Sequence, residues 1–120
     1  MNTAEKGKVG EQAAVNYLMK QGYTILERNY RTRLGEIDLI AEKENTISFV
    51  EVKSWKKIGI DGLEYSIGKR KRSSIINTSK KYLAGLKEGS YSYIDYDVVF
   101  IDNNAGRIEF LKNAFTETGA

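Results

Sequence analysis

Apolar residues recur at helical spacing in the first part of the chain. They share one face of a helix with about 3.6 residues per turn, at Val9, Ala13, Ala14, Tyr17 and Leu18. Thr3 is suited to cap the first turn of such a helix, and Gly22 is suited to end the last one. The pattern therefore predicts an amphipathic helix between these two residues.

After this helix the chain changes to residues that are typical of strands. The segment 23–31, YTILERNYR, is rich in β-branched and aromatic residues and ends beside Arg31 and Arg33. Two further apolar runs, 37–41 and 47–52, flank a short polar segment. Two apolar runs joined in this way are typical of a β-hairpin. The sequence thus predicts three consecutive strands, with a tight turn between the second and the third.

Charged residues interrupt both apolar runs of the predicted hairpin. A turn centred on residues 44 and 45 places Asp38 opposite Glu51, and in the same register Glu36 lies opposite Lys53. Opposed side chains start with Cβ atoms roughly 4.5 to 5.5 Å apart, so the two carboxylates can share one cation. Because a buried charge without a partner is costly, we expect a bound ion there. Oxygen ligands indicate Mg²⁺ or Mn²⁺.

A second interpretation of the hairpin needs no ligand. An antiparallel hairpin with one solvated face would carry Asp38, Glu51 and Lys53 as a lattice of surface salt bridges. The same face also carries the apolar Ile40 and Phe49, which indicates a half-buried face with its charges gathered at one end. The pattern alone leaves both interpretations open.

Glu11 lies well inside the predicted first helix. At about 100° per residue it falls away from the centre of the apolar stripe, so the pattern by itself favours a solvated glutamate. A role at a metal site needs support from elsewhere.

The segment that follows the hairpin predicts a loop. Residues 54–64 carry two glycines and show no period. Within them Trp55, Lys56 and Lys57 are suited to hold a base and a phosphate backbone beside the charged cluster. A solvated loop in which Trp55 covers the core fits the sequence equally well.

A second helix is predicted for residues 65–87. Its inner stripe has helical spacing and consists of Ile75, Ile76, Ser79, Tyr82, Leu83 and Leu86. The first part of this helix carries a basic run from Lys69 through Lys71 to Arg72. A positive helix start can face phosphate with both its side chains and its dipole, although such a run is usually a solvated face.

Two last strands complete the predicted order of elements. Residues 95–102 form an apolar run, residues 103–106 are typical of a turn, and residues 107–111 pair back. The order α-β-β-β-α-β-β predicts an α/β fold.

Composition limits the chemistry that this chain can perform. Its 120 residues fit a single domain, residues 1–120. The chain has no cysteine and no histidine, which excludes thiolate sites, disulfides and the usual general base. The net charge of +3 permits an acidic partner. No apolar run approaches a membrane span, and the amino terminus lacks the apolar core of a signal peptide, so we expect a cytoplasmic protein.

Motifs along almost the whole chain resemble those of one bacterial family. They are G-x-x-G-E-x-x-A at 7–14, N-Y-R at 29–31, G-E-I-D-L-I-A at 35–41, F-V-E-V-K at 49–53, Lys71, D-V-V at 97–99 and N-A-F at 113–115. This ordered set is similar to UPF0102, a family of small uncharacterised proteins related to the PD-(D/E)XK nucleases and likened to archaeal Holliday junction resolvases. Trp55 stands where that family often has an arginine, and some relatives replace the signature lysine.

The resemblance implies a restriction-endonuclease-like core with a central mixed sheet flanked by helices. It also implies a metal-dependent DNA endonuclease that hydrolyses phosphodiester bonds in branched or other DNA during repair or recombination. In this interpretation Asp38, Glu51 and the Val52 carbonyl hold Mg²⁺ or Mn²⁺, Lys53 orients the attacking water, and Glu11 holds a second cation or its water shell.

The expected partner of such a protein is DNA. The residues predicted to contact it are Arg31, Arg33, Trp55, Lys56, Lys57, Lys69 and Lys71. Resolution of a four-way junction needs two active sites, hence a homodimer. Two other functions stay open, namely a nucleic-acid-binding module that keeps the nuclease fold without cutting, and an interaction protein with a salt-bridged hairpin.

Overall fold

The computed structural model describes residues 3–54, 67–102 and 106–117, with side chains from residue 7 onward. In order, these residues form α1 (Thr3–Lys20), β1 (Thr24–Thr32), β2 (Gly35–Lys43), β3 (Thr46–Ser54), α2 (Lys69–Ala84), β4 (Tyr93–Asp102) and β5 (Arg107–Phe115). The predicted order of helices and strands is therefore confirmed. Within the described ranges, no helix is long and apolar enough to cross a membrane.

The strands form one sheet in the order β1-β2-β3-β4-β5. Neighbouring strands are antiparallel except β3 and β4, which are parallel and are joined by the connection that contains α2. The expected mixed sheet flanked by helices is thus present. Because a parallel pair needs a crossover, α2 is brought over the sheet next to β2.

Two apolar clusters lie on the two faces of the sheet. Alternate residues of a strand point to opposite faces, and in β3 Phe49 joins one cluster while Val50 joins the other. Leu18 of α1 packs in the cluster with Val50, whereas Ile75 of α2 packs in the cluster with Phe49. Each helix therefore covers one face of the sheet.

Helix α1 ends as predicted, whereas both ends of α2 differ from the predicted ones. Gly22, with φ of 97°, ends α1 as expected, and the Tyr23 amide donates to the Leu18 carbonyl at 3.0 Å. That geometry is a Schellman cap.

The second helix is shorter than predicted. It was predicted from residue 65, but it begins at Lys69, because Gly68 is its N-cap and is extended, with φ of −73° and ψ of 166°. The predicted end at residue 87 is also too late, since Gly85 caps the helix.

The last strand is longer than the sequence predicts, because it continues through a bulge. β5 extends beyond Leu111 to Phe115, with a register shift opposite Tyr96 and Val98. At the bulge Asn113 has φ of 53°, and its amide donates to Oδ1 of the buried Asp97 at 2.8 Å. The Asp97 carboxylate thus replaces a main-chain acceptor of the ladder.

The turn between β1 and β2 is fixed to α2 by close packing at Gly35. Ser74 Oγ donates to the Leu34 carbonyl at 2.9 Å, and a Cβ atom on Gly35 would overlap Ser74 Oγ. Gly35 also has φ of 152°, which side chains rarely adopt. We expect Gly35→Ala to lower the free energy of unfolding by about 2 kcal/mol or more, from strain and overpacking together.

Chemical denaturation measures this loss, and Gly89→Ala is the matched control. Gly89 also has positive φ, 83°, but no atom lies within 4 Å of the added Cβ. The control variant should lose about 1 kcal/mol, from backbone strain alone. Equal losses in both variants would show that contact with Ser74 is unimportant.

Candidate functional site

The β2–β3 hairpin has the predicted register. Glu44 and Asn45 form its turn with φ of 50° and 63°, the positive values that a type I′ turn requires. Facing pairs run from Lys43↔Thr46 at the turn to Leu39↔Val50. The polar residues that interrupt the two strands therefore lie at the end of the hairpin away from the turn.

The regular main-chain pairing of β2 with β3 ends at Leu39 and Val50. There Asp38 Oδ2 accepts a hydrogen bond of 2.8 Å from the Val52 amide, so a side chain takes the place of a main-chain carbonyl. This bond fixes the Asp38 carboxylate against β3. Asp38 also interacts with the Glu51 carboxyl group, although the paired ladder itself ends at Leu39 and Val50.

Glu51 is a buried carboxyl group, with 6% of its side chain exposed. Its pKa is raised from 4.5 to about 8, chiefly by burial and then by the hydrogen bond with Asp38 and the negative charge of Asp38, while Lys71 and Lys53 oppose the shift. Within the described part of the chain Glu51 Oε2 has no hydrogen-bond partner, although Lys71 Nζ lies 3.4 Å from it. A buried, poorly satisfied carboxylate beside a second one is a site that favours a bound cation.

A cleft of about 370 Å³ opens beside Asp38. Its walls come from α1 and from β1 to β4, and its polar lining consists of Lys8, Glu11, Asn29, Arg31, Asp38, Lys53 and Ser54. The Val52 backbone also lines it. Asp38 therefore belongs both to this cleft and to the pair with Glu51, which lies on the α2 side of β3.

Glu11 lies in the cleft rather than on an open helix face. Its side chain is 17% exposed, and its Oε1 accepts hydrogen bonds from Arg28 Nε at 3.3 Å and Asn29 Nδ2 at 3.0 Å. Asn29 reaches it from a left-handed position in β1, with φ of 52°. The structure thus brings Glu11 and Asp38 to one cleft, with Glu11 held in a fixed orientation.

The predicted DNA-contacting residues fall in different places. Arg31 lines the cleft and is 74% exposed, Arg33 is exposed in the β1–β2 turn, and Lys69 is exposed at the start of α2. Lys71 is paired with Glu51. The predicted contacts at Trp55, Lys56 and Lys57 lie outside the described residues.

Glu36 has a different partner from the one that the hairpin register suggests. It was expected opposite Lys53, but it forms an ion pair with Arg31 at 3.1 Å, across from it in β1. Lys53 instead lines the cleft beside Asp38. Glu36 is therefore a structural partner of Arg31.

The donor atoms of this site suit a hard divalent cation. Among the residues that the structure describes, no three acidic, histidine or cysteine side chains are grouped closely enough to hold a metal. Asp38 and Glu51 offer two carboxylates, and the resemblance implies the Val52 carbonyl as a further donor. Mg²⁺ commonly binds through one or two carboxylates and keeps several waters, so this small set fits it.

Several residues of the site were missed by the sequence analysis. Lys8 adds a cation to the cleft, and Arg28 and Asn29 hold Glu11. Asn29 carried the only available signal, because asparagine tolerates positive φ better than most residues and stands in the N-Y-R motif. No pattern indicated Arg28, since its contact depends on how β1 lies against α1.

Comparison with known proteins agrees with the motifs. The model of a family described as Uncharacterised protein family UPF0102 matches residues 10–101. The UPF0102 protein of Persephonella marina is 46% identical over 110 residues, covering 92% of each chain. That of Nitrosomonas europaea is 41% identical over 118 residues, covering 98% of each chain. That of Legionella pneumophila is 40% identical over 113 residues, covering 94% of this chain and 96% of its own. The chain belongs to the uncharacterised protein family UPF0102.

Proposed function

We propose that this protein is a metal-dependent endonuclease that hydrolyses phosphodiester bonds in DNA. The observation that carries the proposal is the pairing of the buried Glu51 with the half-buried Asp38, which lines one open cleft together with Lys53 and Glu11. Two abutting carboxylates on adjacent strands, with a lysine two residues after one of them, match the PD-(D/E)XK pattern that the sequence resembles. The cleft gives a phosphate group access to Asp38.

The residues at this site fit Mg²⁺ or Mn²⁺. Asp38 and Glu51 would hold the ion with the Val52 carbonyl, and Glu51 Oε2, which has no hydrogen-bond partner among the described residues, is an atom that such an ion would satisfy. When bound there, the cation supplies a Lewis acid that polarises the phosphoryl group. The Asp38 carboxylate is already oriented for this role by the Val52 amide.

Lys53 and Glu11 have separate roles in this proposal. Lys53 donates a hydrogen bond to the attacking water and offsets the negative charge that develops on the phosphate. Hydrolysis adds water across one P–O bond, with the hydroxyl group joining phosphorus and the proton going to the leaving oxygen. Glu11, fixed by Arg28 and Asn29, accepts hydrogen bonds from water in the cleft or helps to hold a second cation.

Basic residues in the cleft and at the start of α2 support DNA as the substrate. Lys8 and Arg31 line it, and Lys69 and Arg70 are exposed at the start of α2. These groups contact phosphates rather than bases, so we expect affinity that depends on salt and little on base sequence. Branched DNA in repair or recombination is the substrate class that the junction-resolvase likeness suggests, with a homodimer supplying the second active site.

Thermal melts and cleavage assays together test this function. Millimolar Mn²⁺ should raise the melting temperature of the native protein, because a ligand that binds only the folded state stabilises it. Asp38→Asn keeps an acceptor for the Val52 amide but removes the charge, so it should abolish both this shift and cleavage. The substrates are linear, flapped and four-way DNA with Mg²⁺ or Mn²⁺.

The assay also separates the alternatives. A native protein that binds DNA but cuts none of these substrates with either metal would be a binding module that retains the nuclease fold. A protein that neither binds nor cuts nucleic acid would be an interaction protein. A melting temperature that Mn²⁺ leaves unchanged would remove the metal site itself.

A further inference from the structure

The ion pair between Lys71 and Glu51 connects α2 to the candidate site. Lys71 Nζ lies 3.4 Å from Glu51 Oε2. The two partners differ in environment, because the Glu51 side chain is 6% exposed and that of Lys71 is 45% exposed. The buried partner is fixed in the sheet, whereas the lysine reaches it from solvent on a flexible stem. Separation of the pair therefore returns the ammonium group to water but leaves a buried carboxyl group that needs a cation or a proton.

The Lys71 ammonium group forms an ion pair with Glu51 Oε2, the same oxygen that would bind a metal ion. Glu51 Oε2 has no hydrogen-bond partner in the described residues, and Lys71 Nζ is the cation that forms an ion pair with it there, while Lys53 also exerts a positive charge on Glu51. A divalent cation bound to this oxygen would face a positive charge at very short range. The repulsion between them would be strong in so buried a place. One of the two cations must therefore leave when the other binds.

We propose that Lys71 is a built-in competitor for the metal site, which holds Glu51 in the metal-free protein and becomes a phosphate contact once a divalent cation displaces it. This inference rests on the metal site of the proposed function. It gives the lysine two alternative partners, the Glu51 carboxylate and the nucleic-acid backbone. Metal binding and DNA binding then favour each other, because both require Lys71 to leave Glu51.

The surroundings of Lys71 on α2 suit the second partner. Lys69 and Arg70 are exposed beside it, and the first turn of the helix contains no acidic residue. The N-cap residue Gly68 makes no side-chain hydrogen bond to the helix amides. A displaced Lys71 therefore joins a positive helix end that attracts phosphate.

Titration calorimetry with Mn²⁺ alone tests the competition in the full chain. Lys71→Met keeps much of the side-chain length but removes the charge, so it should bind Mn²⁺ on the order of tenfold more tightly than the native protein. Lys69→Met removes a charge from the same helix turn without touching Glu51, and should change the affinity by no more than about twofold. Lys71→Arg should remain close to the native value. Circular dichroism melts show that each variant is folded.

Anisotropy with a fluorescent four-way DNA junction tests the coupling. Ca²⁺, another oxygen-binding cation, should increase the affinity of the native protein for DNA, with gels showing that the DNA stays intact. In Lys71→Met this increase should shrink by roughly fivefold. Lys69→Met should weaken binding with and without Ca²⁺ but keep the native ratio between the two affinities.

Equal Mn²⁺ affinities for Lys71→Met and Lys69→Met would overturn the inference, because Lys71 would then act only as one charge among several. An unchanged Ca²⁺ effect on DNA affinity in Lys71→Met would overturn the coupling. Neither readout requires cleavage. A protein that shows the competition but cuts no DNA would therefore refute the nuclease and support the role of Lys71, and a protein that binds no Mn²⁺ in any variant would refute both.

Discussion

Lys53→Ala is expected to lower the rate of DNA cleavage by roughly a hundredfold to a thousandfold while changing DNA affinity little. Lys53 lines the cleft beside Asp38, where the proposed role of its charge is to stabilise negative charge in the transition state. Loss of one such donor typically costs this much in turnover. An interaction that is made only in the transition state affects turnover and not binding. Parallel cleavage and gel-shift assays on the same branched substrate measure both quantities.

The control for this prediction is Lys87→Ala, which removes one positive charge from an exposed residue after α2. Its cleavage rate should equal that of the native protein. If Lys53→Ala instead weakens binding and cleavage by the same factor, Lys53 acts as an ordinary phosphate contact. That result would refute the proposal that Lys53 stabilises the transition state.

Glu51→Gln is expected to remove most of the pH dependence of stability between pH 6 and 8 in the metal-free protein. The pKa of Glu51 is raised from 4.5 to about 8, mainly by burial and then by Asp38, so the folded state retains a proton that the unfolded chain has lost. Native stability therefore falls as pH rises across this interval, by at most about 1.4 kcal/mol per pH unit. Above the pKa of Glu51 in the folded protein, about 8, this contribution to stability is lost completely.

Few other groups interfere in this window. The chain has no histidine or cysteine. Asp97, whose pKa is raised to about 6 mainly by burial, contributes a loss of the same sign at lower pH. Denaturant unfolding from pH 6 to 8 measures the slope, with the exposed Glu88→Gln as control. A slope that persists unchanged in Glu51→Gln would show that Glu51 is ionised at neutral pH and that Lys71 compensates its charge.

The hairpin and its carboxylate pair were predictable because they depend on short-range rules. A polar two-residue turn and a period of two determine which residues of β2 and β3 face each other. Once the turn is placed at residues 44 and 45, the proximity of Asp38 and Glu51 follows. The sequence also indicated the inner stripe of α2, since Ile75, Ile76, Leu83 and their neighbours pack as the period predicts.

The contacts that the sequence did not indicate come from distant segments or from local departures from regular structure. The Lys71–Glu51 pair depends on the path of the crossover, which no local pattern specifies. Asp38 accepts the Val52 amide only because the ladder opens there. The late start of α2 has a simpler cause, because Gly68 breaks a pattern that otherwise resembles a continuous helix.

The placement of the candidate site on one hairpin also affects the entropy of its assembly. Asp38, Glu51 and Lys53 lie on two strands joined by a two-residue turn, so their contacts close a short loop. The parallel β3–β4 ladder, which pairs Thr46 with Tyr93, closes a much longer one, at a greater entropic cost. The carboxylates thus belong to the part of the chain with low contact order, and Lys71 belongs to the connection that spans the long loop. The pair of carboxyl groups is encoded locally, whereas the lysine that contacts Glu51 is supplied by the global topology.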